Sequence, residues 1–181
     1  NAANHAAGDP LRRALGETVV QTIVDVEGVE PGDFPIVTYQ YTDLDGNAYD
    51  VLNDPEFDKD DNGADLNLYF AWTTADYYNG DELGNSPLGR GQDLRLGYDD
   101  VVGNSVDNGD GTFTVTSTAA LPEDWTGDIG VFLNGRAALE SEEEPGTYNT
   151  ALPEVAIFFP GATARAEVVD DAKCSNCHEF L

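Results

Sequence analysis

Between residues 66 and 73 every second side chain is large and apolar: Leu66, Leu68, Phe70 and Trp72 alternate with Asn67, Tyr69, Ala71 and Thr73. A period of two sends one set to each face of an extended strand and does not fit a helical stripe of period 3.6. The signature recurs along the chain. Ile36–Thr42 sets Val37, Tyr39 and Tyr41 on one face, Thr112–Thr118 sets Phe113 and Val115 against a row of threonines, and Ile129, Val131 and Leu133 alternate again. Thr18–Val26 is rich in β-branched residues, Leu94–Leu96 carries a shorter strand signal, and Val155–Phe159 is a continuous apolar run of a length that suits a buried strand.

The breaks between these runs carry turn chemistry. Asp43-Leu44-Asp45-Gly46-Asn47 and Asp107-Asn108-Gly109-Asp110-Gly111 supply the residues that tight hairpins demand. Long helical patterns are absent. The pattern predicts an all-β fold, a sandwich or a small Greek-key barrel. Three regions are expected: an arm over 1–16, with Ala6–Gly16 as a short helix or loose arm; a β-domain over 17–163; and a C-terminal segment over 164–181, in which Ala164–Lys173 reads as a short helix or extended linker. Tyr77–Asn104 reads as a long, partly ordered Gly- and Asp-rich excursion, and Glu140–Gly146 as an exposed acidic loop. Trp72 and Trp125 are expected to pack in the core and at a strand end.

Charge narrows the partners. The chain has 35 Asp plus Glu against 8 Lys plus Arg, a formal charge of −27. Binding nucleic acid means neutralising phosphates with cations, so nucleic acid is excluded as a partner, and anionic lipid is disfavoured for the same reason. The apolar fraction of 40% still suffices for a core. No run of 18 apolar residues exists, so no membrane-spanning segment is expected. The chain starts at Asn1, shows no signal peptide and contains no methionine, which predicts a processed form or an excised fragment. The acid excess reads either as the solvated surface of an exported protein, with salt relieving its self-repulsion, or as cation binding at particular loops.

One loop invites the second reading. Asp58-Lys59-Asp60-Asp61-Asn62-Gly63 matches the first half of an EF-hand loop, with oxygen ligands at positions 1, 3 and 5 and glycine at 6. Position 12, which should be Glu, is Tyr69 inside a predicted strand, so an EF-hand is rejected. A β-loop calcium site built from Asp58, Asp60, Asn62 and Asp65 remains a candidate beside the plain alternative of an acidic solvated turn.

The only two cysteines lie in Cys174-Ser175-Asn176-Cys177-His178. A C-x-x-C pair can be a redox disulfide or half of a zinc site. Zinc needs two further Cys or His ligands, and only His5 and His178 exist. A thioredoxin-type motif belongs in a strand–helix repeat, which this chain lacks. C-x-x-C-H, in contrast, places two thiols to add across the haem vinyl groups and a histidine to bind the iron. Cys174 and Cys177 are therefore the candidate thioethers of haem c, and His178 the candidate proximal ligand. With no methionine in the chain, the sixth ligand is either His5, otherwise a surface histidine in the arm, or a group outside these 181 residues. No catalytic triad and no glycine-rich phosphate loop is present.

An acidic β-domain leading into C-x-x-C-H resembles the outer-membrane multihaem (decahaem) c-type cytochromes of metal-reducing bacteria, the OmcA/MtrC type. The likeness rests on three stretches: Asp107–Thr116, similar to that family's glycine hairpin and strand; Thr126–Ala137, similar to its strand ending in Gly-Arg; and Arg165, Val168-Val169-Asp170 with Lys173–His178, similar to its barrel-to-haem junction. The resemblance implies a split Greek-key barrel next to a haem domain. It also implies other c-type haems or cytochrome chains as partners, and an exported location at the cell surface, the outer-membrane exterior or the extracellular space. The family carries many haem motifs and this chain has one, which predicts a β-domain with the first haem motif of a following domain, or a protomer completed by a neighbour.

The expected function is extracellular electron transfer toward a mineral, a flavin or another cytochrome. No bond-making catalysis is implied; at most the chain is a non-specific extracellular metal or flavin reductase. The alternative is an exported, calcium-stabilised Ig-like binding or adhesion module, which leaves the C-x-x-C-H unexplained.

Overall fold

The structure is a computed structural model that describes residues 14–72, 93–125, 129–141, 143–151 and 154–161. Ten strands run in chain order: β1 (Val19–Glu27), β2 (Ile36–Asp43), β3 (Asp65–Trp72), β4 (Asp93–Leu96), β5 (Ser105–Asp107), β6 (Phe113–Thr116), β7 (Ile129–Arg136), β8 (Ala138–Glu140), β9 (Tyr148–Thr150) and β10 (Glu154–Phe158). Two short helices, α1 (Lys59–Asn62) and α2 (Tyr98–Asn104), and a 3-10 turn at Pro55–Phe57 complete the described elements.

The strands build two four-stranded antiparallel sheets, β1-β2-β6-β5 and β10-β7-β3-β4, while β8 and β9 form a separate hairpin. The sheets do not close into a barrel, so of the two expected architectures the sandwich is the one formed. Labelled A to G, with β1, β2, β5 and β6 as A, B, D and E and β3, β4, β7 and β10 as C, C′, F and G, the sheets read ABED and GFCC′. That is the strand order of an immunoglobulin-type sandwich. The β8–β9 hairpin is inserted in the F–G connection and packs on the Pro55–Phe57 turn.

The alternating residues meet in the middle. Val37, Tyr39, Tyr41, Phe113 and Val115 from one sheet face Leu66, Leu68, Phe70, Trp72, Ile129, Val131 and Leu133 from the other, and all are buried. Each large apolar side chain so removed from water contributes about 1.5–3 kcal/mol. β1 joins this core through a bulge. Its pairing with β2 slips between Ile23 and Asp25, which returns Val26 to the interior after Ile23 and leaves Val24 outside.

Two tyrosines carry hydroxyls into the apolar interior. Tyr39 donates to Ser105 Oγ at 2.9 Å, since the Ser105 hydroxyl itself donates to the Val101 carbonyl at 2.7 Å. Tyr41 donates to Gln21 Oε1 at 2.9 Å. The Tyr41 hydroxyl also lies where a Cβ on Gly135 would stand, so β7 approaches β2 only because residue 135 is bare.

Two sequence expectations need correction. Val155–Phe159 was expected to be buried, but β10 is an edge strand whose Val155 and Ile157 are 48% and 56% exposed. A continuous apolar run does not reveal whether both faces are covered. The supposed excursion ends in an ordered helix, α2, which packs on β3 and β6 through the buried Val101; residues 77–92 lie outside the described residues.

Gly135→Ala is expected to destabilise the fold by about 1–3 kcal/mol through overpacking. Adding Tyr41→Phe should recover part of that loss, because it removes the clashing oxygen. A double-mutant cycle in urea checks this, and additive losses would show that the two residues do not meet. Burial, opposed in part by the Ser105 hydrogen bond, pushes the Tyr39 hydroxyl up to about 12 from its ordinary 10.0. The folded state thus favours the protonated phenol. Its contribution of about 2–3 kcal/mol is complete below pH 10 and is lost as pH rises from 10 toward 12. Urea midpoints should fall across that window in the parent and fall less in Tyr39→Phe.

Candidate functional site

The chain's four thiol and imidazole side chains, Cys174, Cys177, His178 and His5, all lie outside the described residues. The predicted linker over 164–173 lies outside them as well. What the described residues offer is the acidic loop over 58–65 and the cleft beside it.

That loop winds into one helical turn instead of opening as a ligand cradle. Asp58 is the N-cap of α1, and its Oδ1 accepts from the backbone N–H groups of Asp60 and Asp61, each at 2.9 Å. These N–H groups have no partner inside the helix, so a carboxylate at this position satisfies both. Gly63 ends the turn at φ 79°, a conformation that favours glycine. Asn62 turns its amide inward to donate to the Pro55 carbonyl at 2.8 Å. Asp65 has already entered β3, where its Oδ1 accepts from the Leu66 N–H at 3.1 Å.

The four residues expected at calcium are therefore divided between a helix cap, an exposed turn, an inward amide and a strand. Among the described residues no three His, Cys, Asp or Glu side chains converge into a set that could hold a metal ion. Spacing alone suggested a ligand loop, because D-x-D-x-N-G also describes an aspartate cap followed by a glycine stop.

A cleft of about 450 Å³ opens beside this turn, lined by residues 51–55 and 57–62 together with Tyr98. Phe57 is its buried floor, with ring centroids 4.9 Å from Tyr41 and 5.6 Å from Tyr49. Tyr98 comes from α2 and donates its hydroxyl to the Phe57 carbonyl. Sequence reading missed Tyr98 because it lay in the segment taken as an excursion. The available signal was Gly97-Tyr98-Asp99-Asp100, since Asp100 Oδ2 reaches back to the Gly97 N–H at 3.3 Å and starts the helix. Lys59 sits 5.2 Å above the Tyr98 ring and 3.6 Å from Asp99. Burial, and then the carboxylates of Asp58, Asp60 and Asp99, raise the Tyr98 hydroxyl above its ordinary value, and a backbone hydrogen bond at Lys59 pulls it partly back.

The cleft holds carboxylates, a phenol and one ammonium. It contains no nucleophile paired with a base, and its negative potential disfavours anions. Trp72, expected in the core, is buried there, and Trp125 packs half-buried at its margin. Neither a family model nor a curated protein sequence matches the chain.

Asp58→Ala should destabilise the fold by about 1 kcal/mol through the lost cap. If capping is its role, urea melts will show the same loss in EDTA and in millimolar calcium. A loss that grows several-fold in calcium would instead identify Asp58 as a ligand.

Proposed function

We propose that the chain is an electron-transfer protein carrying one c-type haem, with thioethers at Cys174 and Cys177 and His178 as proximal ligand. A single observation carries the reading: both cysteines of the chain stand in one C-x-x-C-H, and the residue completing the pentapeptide is one of only two histidines. The described residues contain neither thiol nor imidazole. The β-sandwich then serves as the body that carries and partly shields the haem. Electrons pass by outer-sphere exchange to neighbouring c-type haems and on to an extracellular acceptor, a mineral or a flavin. The resemblance to outer-membrane multihaem cytochromes supports an exported, cell-surface setting. In this setting the sixth ligand is either His5, the only other histidine of the chain, or a group outside these 181 residues.

Protein matured by a c-type assembly system should show the c-type pyridine haemochrome and a mass increased by one haem. Cys174→Ala with Cys177→Ala should abolish both and leave the melting temperature of the β-domain within a few degrees. A wild-type chain that emerges haem-free from such a host sinks the proposal.

The immunoglobulin-type strand order favours a second reading, an exported binding module. Many such sandwiches bind partners through loops or sheet faces without any redox group. Deleting residues 174–181 separates the two, because a binding module keeps its partner and an electron carrier loses its function.

A further inference from the structure

Gln21 stands on β1 at the margin of the core, and its two amide atoms fare differently. Oε1 accepts from the Tyr41 hydroxyl at 2.9 Å. Nε2 is likewise shut off from bulk solvent, yet no group of the protein accepts its hydrogens. A buried donor without an acceptor loses its hydration and gains nothing in return, which folded proteins rarely tolerate.

A second observation lies at the same place. A small cavity of about 10 Å³ opens among Gln21, Tyr41, Gly135, Arg136, Ala137 and Ala151. Three of these residues offer at most a methyl group, so none of the three fills it. Gly135 is bare for a reason already given: a Cβ there would collide with the Tyr41 hydroxyl. The room suits one water molecule and nothing larger.

The chemistry of the lining selects the guest. Tyr41 gives its proton to Gln21 Oε1, so the phenol oxygen keeps lone pairs for an incoming donor. A guest here must accept from Nε2 and donate to Tyr41 Oη. A metal ion or an ammonium group cannot accept a hydrogen bond, and an apolar molecule can do neither. Water does both, and two partners lie within the range at which internal waters are held.

We propose that this cavity is the site of one structural water, which accepts from Gln21 Nε2 and donates to Tyr41 Oη. With it the Gln21 amide, the water and the Tyr41 hydroxyl form a closed ring in which each member donates once and accepts once. Such a ring polarises its own bonds and strengthens them. Turning the amide end for end reverses every bond in the ring and leaves the water in place. The ring joins β1 to β2 beneath β7, at the point where the two sheets approach most closely through Gly135. This site belongs to the sandwich alone and stands whether or not the chain carries haem.

A crystal structure of the full chain, at a resolution that shows ordered solvent, should place one water oxygen within hydrogen-bonding distance of both the Gln21 amide and Tyr41 Oη. A cavity that is dry there overturns the site, as does an amide nitrogen that donates to a protein acceptor other than Tyr41. In solution, oxygen-17 relaxation dispersion counts long-lived internal waters. The count should fall by one in Gln21→Met/Tyr41→Phe, whose side chains retain no strong hydrogen-bonding group at the cavity. An unchanged count in the folded variant overturns the proposal. If the variant does not fold, the crystal structure of the parent chain decides.

Discussion

The fold depends on how closely two sheets can approach across Tyr41. The phenol crosses the sandwich from β2 and ends where β7 offers Gly135 in place of a side chain. Its hydroxyl is far from water and is satisfied by Gln21 from β1. Three strands of two sheets are thereby tied at one point, and an apolar contact acquires direction. Burial of Tyr41 drives its hydroxyl well above the ordinary range, which keeps it a neutral donor at any pH a cell offers. The aromatic contacts extend outward from there, through Phe57 to Tyr49 and through Tyr39 to Phe113. The floor of the acidic cleft is therefore one end of the core.

Charge acts on this molecule from outside. The core gathers neutral side chains, and the described residues bury only Asn67 and Ser117 among polar ones. The acids are spent locally instead. Asp43 holds the turn after β2 by accepting from the Asn47 side chain and from the backbone of Asp45 and Asn47, which lowers its carboxyl below the ordinary value. Asp110 does the same for the β5–β6 turn through Thr112. Asp58 caps a helix. The same residue type that gives the surface its charge thus also closes loops, and a cluster of aspartates in this chain is first a set of backbone acceptors.

Strand identity was legible in the sequence because alternation at period two is a local property. Val37, Tyr39 and Tyr41, then Leu66, Leu68, Phe70 and Trp72, then Phe113 and Val115, all face inward as their spacing demands. The turn residues at 43–47 and 107–111 were legible for the same reason. The proposed haem attachment likewise rests on five consecutive residues, because such a motif is defined by spacing alone. Partner choice among strands was not local. Whether the sheet would close into a barrel or stack as a sandwich depended on β2 pairing with β6 and β3 with β7, between residues far apart in the chain. The edge position of β10, the hydrogen bond of Asn62 to the Pro55 carbonyl, the arrival of Tyr98 at the cleft and the need for glycine at 135 were likewise decided by what stands across the gap. The sequence alone determined which segments extend and which residues of a strand share a face. Tertiary structure alone decided which strands meet and which face stays open, because those are settled by packing between distant residues.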